Sequence, residues 1–273
     1  MSHRVGCMAS DENLANEVRL LSLPQLAPLG RWQLDLPHDR PEHLLLWITR
    51  GQGVALFDGA RAGIGTHNAI FVPARQLLAV DLGRQCFGQA LVLPVGSAPS
   101  LPDRPVHLRV RDVTTQNELA GLLDAITREQ DSGKSLNSKA VLAYSELSAI
   151  WLQRVIETEP ASPRASAARR LARRYFDRLV HGHATGASMA DHAEALGVTP
   201  THLTRVCKSQ TGRTAAALLT SRVLHEARAA LVQSNRPASH IAKDLGFSSA
   251  AYFTRFMQHH TGLAPSAIRR SAA

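Results

Sequence analysis

The sequence is poor in cysteine and has no long apolar run. Its three cysteines, Cys7, Cys86 and Cys207, are odd in number and far apart in 273 residues. That excludes a disulfide framework and a cysteine-built zinc site, and it fits a reducing compartment. No window reaches the roughly 18 apolar residues of a membrane-spanning helix. The apolar stretch Leu20 to Leu29 is short and is broken by Pro24 and Pro28. The first residues hold one arginine and no apolar core, so no secretory signal is expected and the expected location is cytoplasmic. Catalytic triads, phosphate-binding glycine loops and paired catalytic carboxylates are missing too. The expectation is a non-enzymatic protein without a cofactor.

The charge is unevenly placed. Residues 161–273 hold 16 Lys+Arg against 5 Asp+Glu, a net +11, and residues 1–160 hold 15 against 17, a net −2. The whole positive excess sits in the C-terminal part. A basic half joined to a near-neutral half suggests a polyanion-binding region attached to a region with another task. Charge alone fits a basic domain with no nucleic-acid partner equally well.

The text changes character along the chain. Residues 1–17 are polar and aperiodic and are expected to form a disordered arm. Short apolar runs follow, "RWQLDL", "HLLLWIT", "GVALF", "AIFVP", "LLAVDL" and "GQALVLP". They are separated by turn signals that include "FDGARAGIG". Asp58-Gly59 within that signal is a strong hairpin turn. This pattern predicts an antiparallel β domain over residues 18–110, either a barrel or a double-sheet jelly roll.

Helical periodicity then takes over. Leu119, Leu122, Leu123 and Ile126 recur at spacings of three and four, and Tyr144, Leu147, Trp151 and Val155 form a second stripe. Leu142, Ile150 and Leu152 spread apolar surface around that second helix. Such a helix needs two neighbours, and either the β domain or a second subunit can supply the other one. Residues 111–158 are therefore expected to be a helical dimerisation segment. "EPASPRAS", residues 159–166, is the expected linker to a helical domain over 167–273.

That last domain repeats itself. "LGVTPTHLTRVCKSQTG" (196–212) returns as "LGFSSAAYFTRFMQHHTG" (245–262). In the first copy Ser188 can cap a helix, and Ala193 and Gly197 have the four-residue spacing of a helix-turn-helix. Thr199 is a suitable N-cap with Pro200 behind it at the first helical position. Leu203, Val206 and Cys207 face inward, Thr201, Thr204, Arg205 and Lys208 outward, and Gly212 ends the helix. The second copy has Ala242 and Gly246, a cap at Ser248 or Ser249, Phe253, Phe256 and Met257 inward, and Ala251, Thr254, Arg255 and Gln258 outward. The units span about 188–212 and 238–262. Between them, residues 214–233 read as one helix spanning about 30 Å at roughly 1.5 Å per residue. The major groove returns to the same face every ~34 Å, so one rigid helix can hold two reading helices in successive grooves.

With these parts in view, Ala165 to Arg270 resembles the C-terminal domain of the AraC/XylS family of transcription regulators. "SRVLHEARAALVQSNRPASHIAKDLGFSSAAYFTRFMQHHTGLAPSAIRR" carries most of the likeness. The first copy departs from the family at Cys207, where an aromatic is usual. The resemblance implies an α+β, two-domain protein. An N-terminal cupin-like β-barrel or jelly roll with dimerisation helices precedes an all-α domain with two helix-turn-helix units joined by a long helix. It implies double-stranded promoter DNA as partner, a homodimer, RNA polymerase as a candidate contact, and a small-molecule effector in the β domain. Carried over by position, the DNA-binding residues are Thr199, Thr201, His202, Thr204, Arg205 and Lys208 in the first unit. In the second they are Ser249, Ala250, Ala251, Thr254, Arg255 and Gln258. Arginine can bond guanine in bidentate fashion, threonine can bond a base or pack on a thymine methyl, and alanine can only pack. The first unit is thus expected to discriminate and the second mainly to position. The plainer reading of each arginine is a solvated face. Trp32, Trp47, Arg50, Phe57 and Phe71 are the candidate effector lining, with core and surface roles as the plainer alternative.

Two rival classes can be weighed on residues. A cupin-type metal-dependent oxygenase or isomerase needs a close histidine pair and a carboxylate. His38, His43, His67 and His107 are scattered, with no His-x-His, so no metal is expected. An alkyl-transfer repair protein needs a reactive cysteine, and neither Cys7 nor Cys86 has a supporting motif.

Overall fold

A computed structural model describes residues 17–159 and 165–272. The expected arm lies outside the described residues except for Glu17, and so does most of the expected linker. Among the described residues, eight strands form two antiparallel sheets: β1 (Arg19–Ser22), β2 (His43–Arg50), β3 (Gln52–Phe57), β4 (Ala60–Gly65), β5 (Asn68–Val72), β6 (Leu78–Leu82), β7 (Phe87–Leu93) and β8 (Val106–Arg109). The orders are β1-β7-β2-β5-β8 and β4-β3-β6. The sheets face each other without closing, so of the two expected forms the barrel is corrected to a double sheet.

The sheet pairing explains the sequence text. Leu44, Leu46, Ile48, Ile70, Val72, Ala90 and Val92 point between the sheets against Ala55, Phe57, Ile64, Leu78 and Val80. Leu45, Trp47, Ala69, Phe71 and Leu91 point the other way, under helices α2 (Val113–Asp131) and α3 (Asn137–Thr158). Strand β2 is covered on both faces and therefore reads as an unbroken apolar run. Asp58 and Gly59 both have positive φ, 53° and 72°, as a two-residue hairpin turn requires. Two expectations are corrected. Most of "RWQLDL" is not a strand but the short helix α1 (Trp32–Asp35), and much of "FDGARAGIG" is the edge strand β4.

The C-terminal part contains α4 (Ala167–Gly182), α5 (Met189–Glu194), α6 (Pro200–Thr211), α7 (Ala215–Gln233), α8 (Ala238–Asp244), α9 (Ala250–Thr261) and α10 (Pro265–Ala272). It docks on the sheets at two places. At the first, Leu56, Leu77 and Ala79 join the core of α4 and α6. Beside them, the Asp58 carboxylate is held by Arg169 at 2.8 Å and by Arg173 at 2.6 Å. A Cβ at Gly59 would lie 2.6 Å from the Arg173 backbone N, so glycine is required here by space as well as by φ.

The second contact is on α7. Arg222 and Asp39 are both nearly dry, with side chains 4% and 6% exposed, and pair at 2.7 Å. The other end of the Arg222 guanidinium meets Glu226 at 2.9 Å, and Asp39 also meets Arg75 at 3.5 Å. Beside this pair the rings of His38 and His225 stack at 4.6 Å and 9°. The His38 Nδ1 donates to the Leu36 carbonyl at 2.9 Å. Trp32 packs on His225, and Arg228 lies 4.6 Å from the centroid of the Trp32 ring.

Burial pushes the His38 imidazole down to about 4, and burial lowers His225 too, with His38, Arg222 and Arg40 adding to the effect. Both rings are therefore neutral in the fold but titrate near 6.5 when unfolded. Their stabilising contribution is present above about pH 6.5 and is lost as pH falls towards 4. Acid-limb melts of His38→Phe, which keeps a stacking ring, should fall less steeply between pH 6.5 and 4 than wild type. Equal slopes would remove His38 from the account.

Candidate nucleic-acid interface

The first helix-turn-helix begins with a reciprocal cap. The Ser188 N–H donates to the Asp191 carboxylate at 2.8 Å, and the Asp191 N–H donates to the Ser188 hydroxyl at 3.3 Å. The Ser188 N–H and the Ser188 hydroxyl, which also donates to this carboxylate at 2.9 Å, hold the Asp191 carboxyl below the usual carboxylate range. Helix α5 ends at a turn where Gly197 has φ 71°. The Thr199 hydroxyl then accepts the His202 N–H at 3.2 Å, with Pro200 behind it, and starts α6. Leu203, Val206 and Cys207 are buried as expected. The opposite face is open: Thr199, Thr201, Arg205 and Lys208 are exposed, and His202 and Thr204 are half-buried.

The second unit has the same plan. Gly246 has φ 76°, and Ser249 rather than Ser248 caps α9 by accepting the Tyr252 N–H at 3.1 Å. Phe253 and Met257 are fully buried and Phe256 is half-buried. Ser249, Ala250, Ala251, Arg255 and Gln258 are exposed, and Thr254 is half-buried. The shared "Thr-Gly" ending has a mechanical cause. Thr211 donates to the Cys207 carbonyl at 2.7 Å and accepts the Arg213 N–H at 3.1 Å. Thr261 donates to the Met257 carbonyl at 2.7 Å and accepts the Leu263 N–H at 3.1 Å. Gly212 and Gly262 follow with φ 76° and 74°, which end each helix in the left-handed region.

The two outward faces differ chemically. Arg205 donates from Nη2 to the His202 Nδ1 at 3.0 Å, so a neighbour on the same face orients its guanidinium. The Thr254 hydroxyl donates back to the Ala250 carbonyl at 3.0 Å, which occupies its one proton. With Ala250 and Ala251 at its tip, the first turn of α9 offers fewer polar side chains than that of α6, which carries Thr201 and His202.

Residues 192–271 match the family model described as a helix-turn-helix domain. This segment is an AraC-type helix-turn-helix domain. The AraC-type domain accounts for the repeat, its turns and its caps. Among solved structures, the chain is similar to the C-terminal domain of AraT, a response regulator from Geobacillus stearothermophilus. The identity is 26% over 40% of this chain and 88% of that one, with a TM-score of 0.35. It is similar to ToxT from Vibrio cholerae at 10% identity over 93% of this chain and 98% of that one, with a TM-score of 0.41. A transcriptional regulator from Chromobacterium violaceum with an AraC-type DNA-binding domain matches at 28% identity over 32% and 78%, with a TM-score of 0.29. No curated protein matches the chain.

The five candidate effector residues do not converge. Trp47 and Phe71 lie under α2 and α3, Phe57 lies between the sheets, Trp32 packs against α7, and Arg50 is exposed. A cleft of about 820 Å³ does open at one end of the sheets. Its lining includes Gly53, Gly63, Asn68, Asp81 and Arg109, and none of the five. The four scattered histidines are engaged separately. His38 stacks on His225, His43 accepts the Ala74 N–H, His67 stacks on Trp47 and His107 bonds Asn68. Among the described residues no cluster of three or more His, Cys, Asp or Glu is placed to hold a metal. No described helix is long and apolar enough to cross a membrane.

The ion pairing of Asp39, Asp58 and Arg222 has almost no local signature, because Asp58 reads only as a turn residue and the partners across the sheets lie far away along the chain. Only Arg222 left a trace, as a charge next to the apolar stripe of α7 with Glu226 one turn on.

Burial pushes the Cys207 thiol up to about 12. As the thiolate is the reactive form, Cys207 should stay unalkylated by iodoacetamide at pH 8 in the folded protein and react once denaturant is added. Peptide mass mapping reads this directly, and rapid labelling of native Cys207 would contradict the packing of the first unit.

Proposed function

We propose that the chain regulates transcription by binding double-stranded promoter DNA through α6 and α9, with α6 supplying most of the sequence discrimination. The observation that carries this reading is the pair of equivalent helices. Each has a capped N-terminus, a buried inner stripe and an open outer face, and both sit in the half of the chain that holds the entire positive excess. In the first unit Arg205 and Thr201 are the base-reading groups, with Thr204 and His202 beside them. Thr199 and Lys208 lie towards phosphate. In the second unit Arg255, Thr254 and Gln258 are the polar contacts, Ser249 lies towards phosphate, and Ala250 and Ala251 pack on thymine methyls.

The finer parts of the proposal concern the rest of the molecule. A second copy of the chain covers the exposed apolar side of α3, where Leu142 and Leu147 are 43% and 47% exposed. A small-molecule effector is read by the sheet-rich part, and the cleft beside Asn68 and Arg109 supports that by its size. Effector binding then acts by favouring one arrangement of the two parts over another. Contact with RNA polymerase belongs to the same reading.

Selection from a random duplex pool by the full-length chain tests the proposal, and enrichment of no sequence would end it. On an enriched duplex, log affinity should fall linearly and steeply with log salt. Arg205→Ala should weaken cognate binding by about 1–3 kcal/mol and relax preference at one base pair. An equal loss on cognate and random DNA would assign Arg205 to phosphate instead.

A further inference from the structure

The two helix-turn-helix units are joined by α7, and they also touch directly. Gly186 lies in the loop between α4 and α5 of the first unit, and Gly246 lies in the turn of the second. A Cβ at Gly246 would stand 2.5 Å from the Gly186 N, 2.8 Å from its Cα and 3.0 Å from the Ala184 carbonyl oxygen. A Cβ at Gly186 would stand 3.0 Å from the Gly246 carbonyl oxygen. Backbone therefore packs on backbone, with no side chain able to yield. Ala184 packs against the core of the second unit, and His183 reaches Glu226 of α7 at 3.9 Å. Residues 183–186 thus form a strap that meets the second unit directly at Gly246, in addition to its contact with α7.

The first unit supplies its own comparison. Gly197 occupies the same place in its turn as Gly246 does in the second. The φ values are 71° and 76°. The same backbone bond closes each turn, Val198 N–H to Ala193 O at 3.0 Å and Phe247 N–H to Ala242 O at 2.9 Å. Yet a Cβ at Gly197 would meet nothing within 4 Å. The left-handed turn explains glycine at both positions, but only Gly246 is also needed for a close approach.

We propose that the Gly186–Gly246 contact is a positioning joint. It sets the separation and rotational phase of α6 and α9, and through them the spacing between the two DNA boxes the protein accepts. A body attached only through one helix end can pivot, whereas attachment at two separate places removes that freedom. The inference rests on the DNA-binding reading above. It adds a residue-level determinant of operator geometry that touches no base.

The test runs wild type, Gly246→Ala and Gly197→Ala, all full length, against the same random duplex pool. Ala at either position meets the same left-handed strain, so the difference between the variants isolates the contact. Wild type and Gly197→Ala should enrich two boxes at one common separation. Gly246→Ala should enrich the same boxes at shifted or scattered separations. On the wild-type spacing it should bind about tenfold or more weaker than Gly197→Ala, comparable to losing one bidentate base contact. If circular dichroism shows Gly246→Ala unfolded, Gly186→Ala, with its looser approach, decides by the same shift in separation. Either folded variant keeping the wild-type separation and the affinity of Gly197→Ala overturns the joint and leaves the DNA-binding reading intact. A wild type that enriches nothing overturns both.

Discussion

Helix α7 has three neighbours to satisfy at once, and the arrangement of the molecule depends on how it does so. Leu218 near its start belongs to the core of the first helix-turn-helix, with Tyr175, Leu203 and Cys207. Leu224, Ala227 and Leu231 belong to the core of the second, with Ile241, Phe253 and Met257. Between these stretches Arg222 reaches Asp39 in the sheet-rich part, and on the second stretch His225 stacks on His38. A helix buried on several sides is apolar around much of its girth, and α7 follows that rule, with Arg222 and His225 as polar groups that meet specific partners. The Arg222–Asp39 pair is nearly dry, so removing one partner would leave an uncompensated buried charge.

This arrangement links the two halves of the chain mechanically. The β3–β4 turn presses on α4 through Asp58 and Gly59, and the His38 stack holds α7. Both contacts fall on the framework that carries α6 and α9 and not on their outward faces, which stay open. Under the proposed function, a change in the sheet-rich part reaches α6 and α9 by altering how their frame is held, without covering them.

Local features were the legible ones in the sequence. The caps at Ser188 and Thr199, the turns at Gly197 and Gly246 and the "Thr-Gly" helix ends all depend on residues within a few positions of each other. Strand β2 was legible because burial on both faces leaves a continuous apolar run. Strand β4 was not, since "ARAGIG" is mostly alanine and glycine and has Ile64 as its one large apolar side chain. "RWQLDL" misled because four helical residues are too few to show a period. The long-range contacts left no local signature. Asp39 meets Arg222 across 183 residues and Gly186 meets Gly246 across 60, so only the fold brings them together. The effector lining failed for a related reason: aromatic identity does not say which face of a sheet a residue occupies, and Trp47 and Phe57 lie in different cores.

The central claim is that one rigid frame presents two reading helices to the same side of a duplex. A hydroxyl-radical footprint of the full-length protein on a selected duplex tests this most directly. Two protected patches on one face, about 10 base pairs apart, are the predicted result. A single patch, or two on opposite faces of the duplex, would contradict the account.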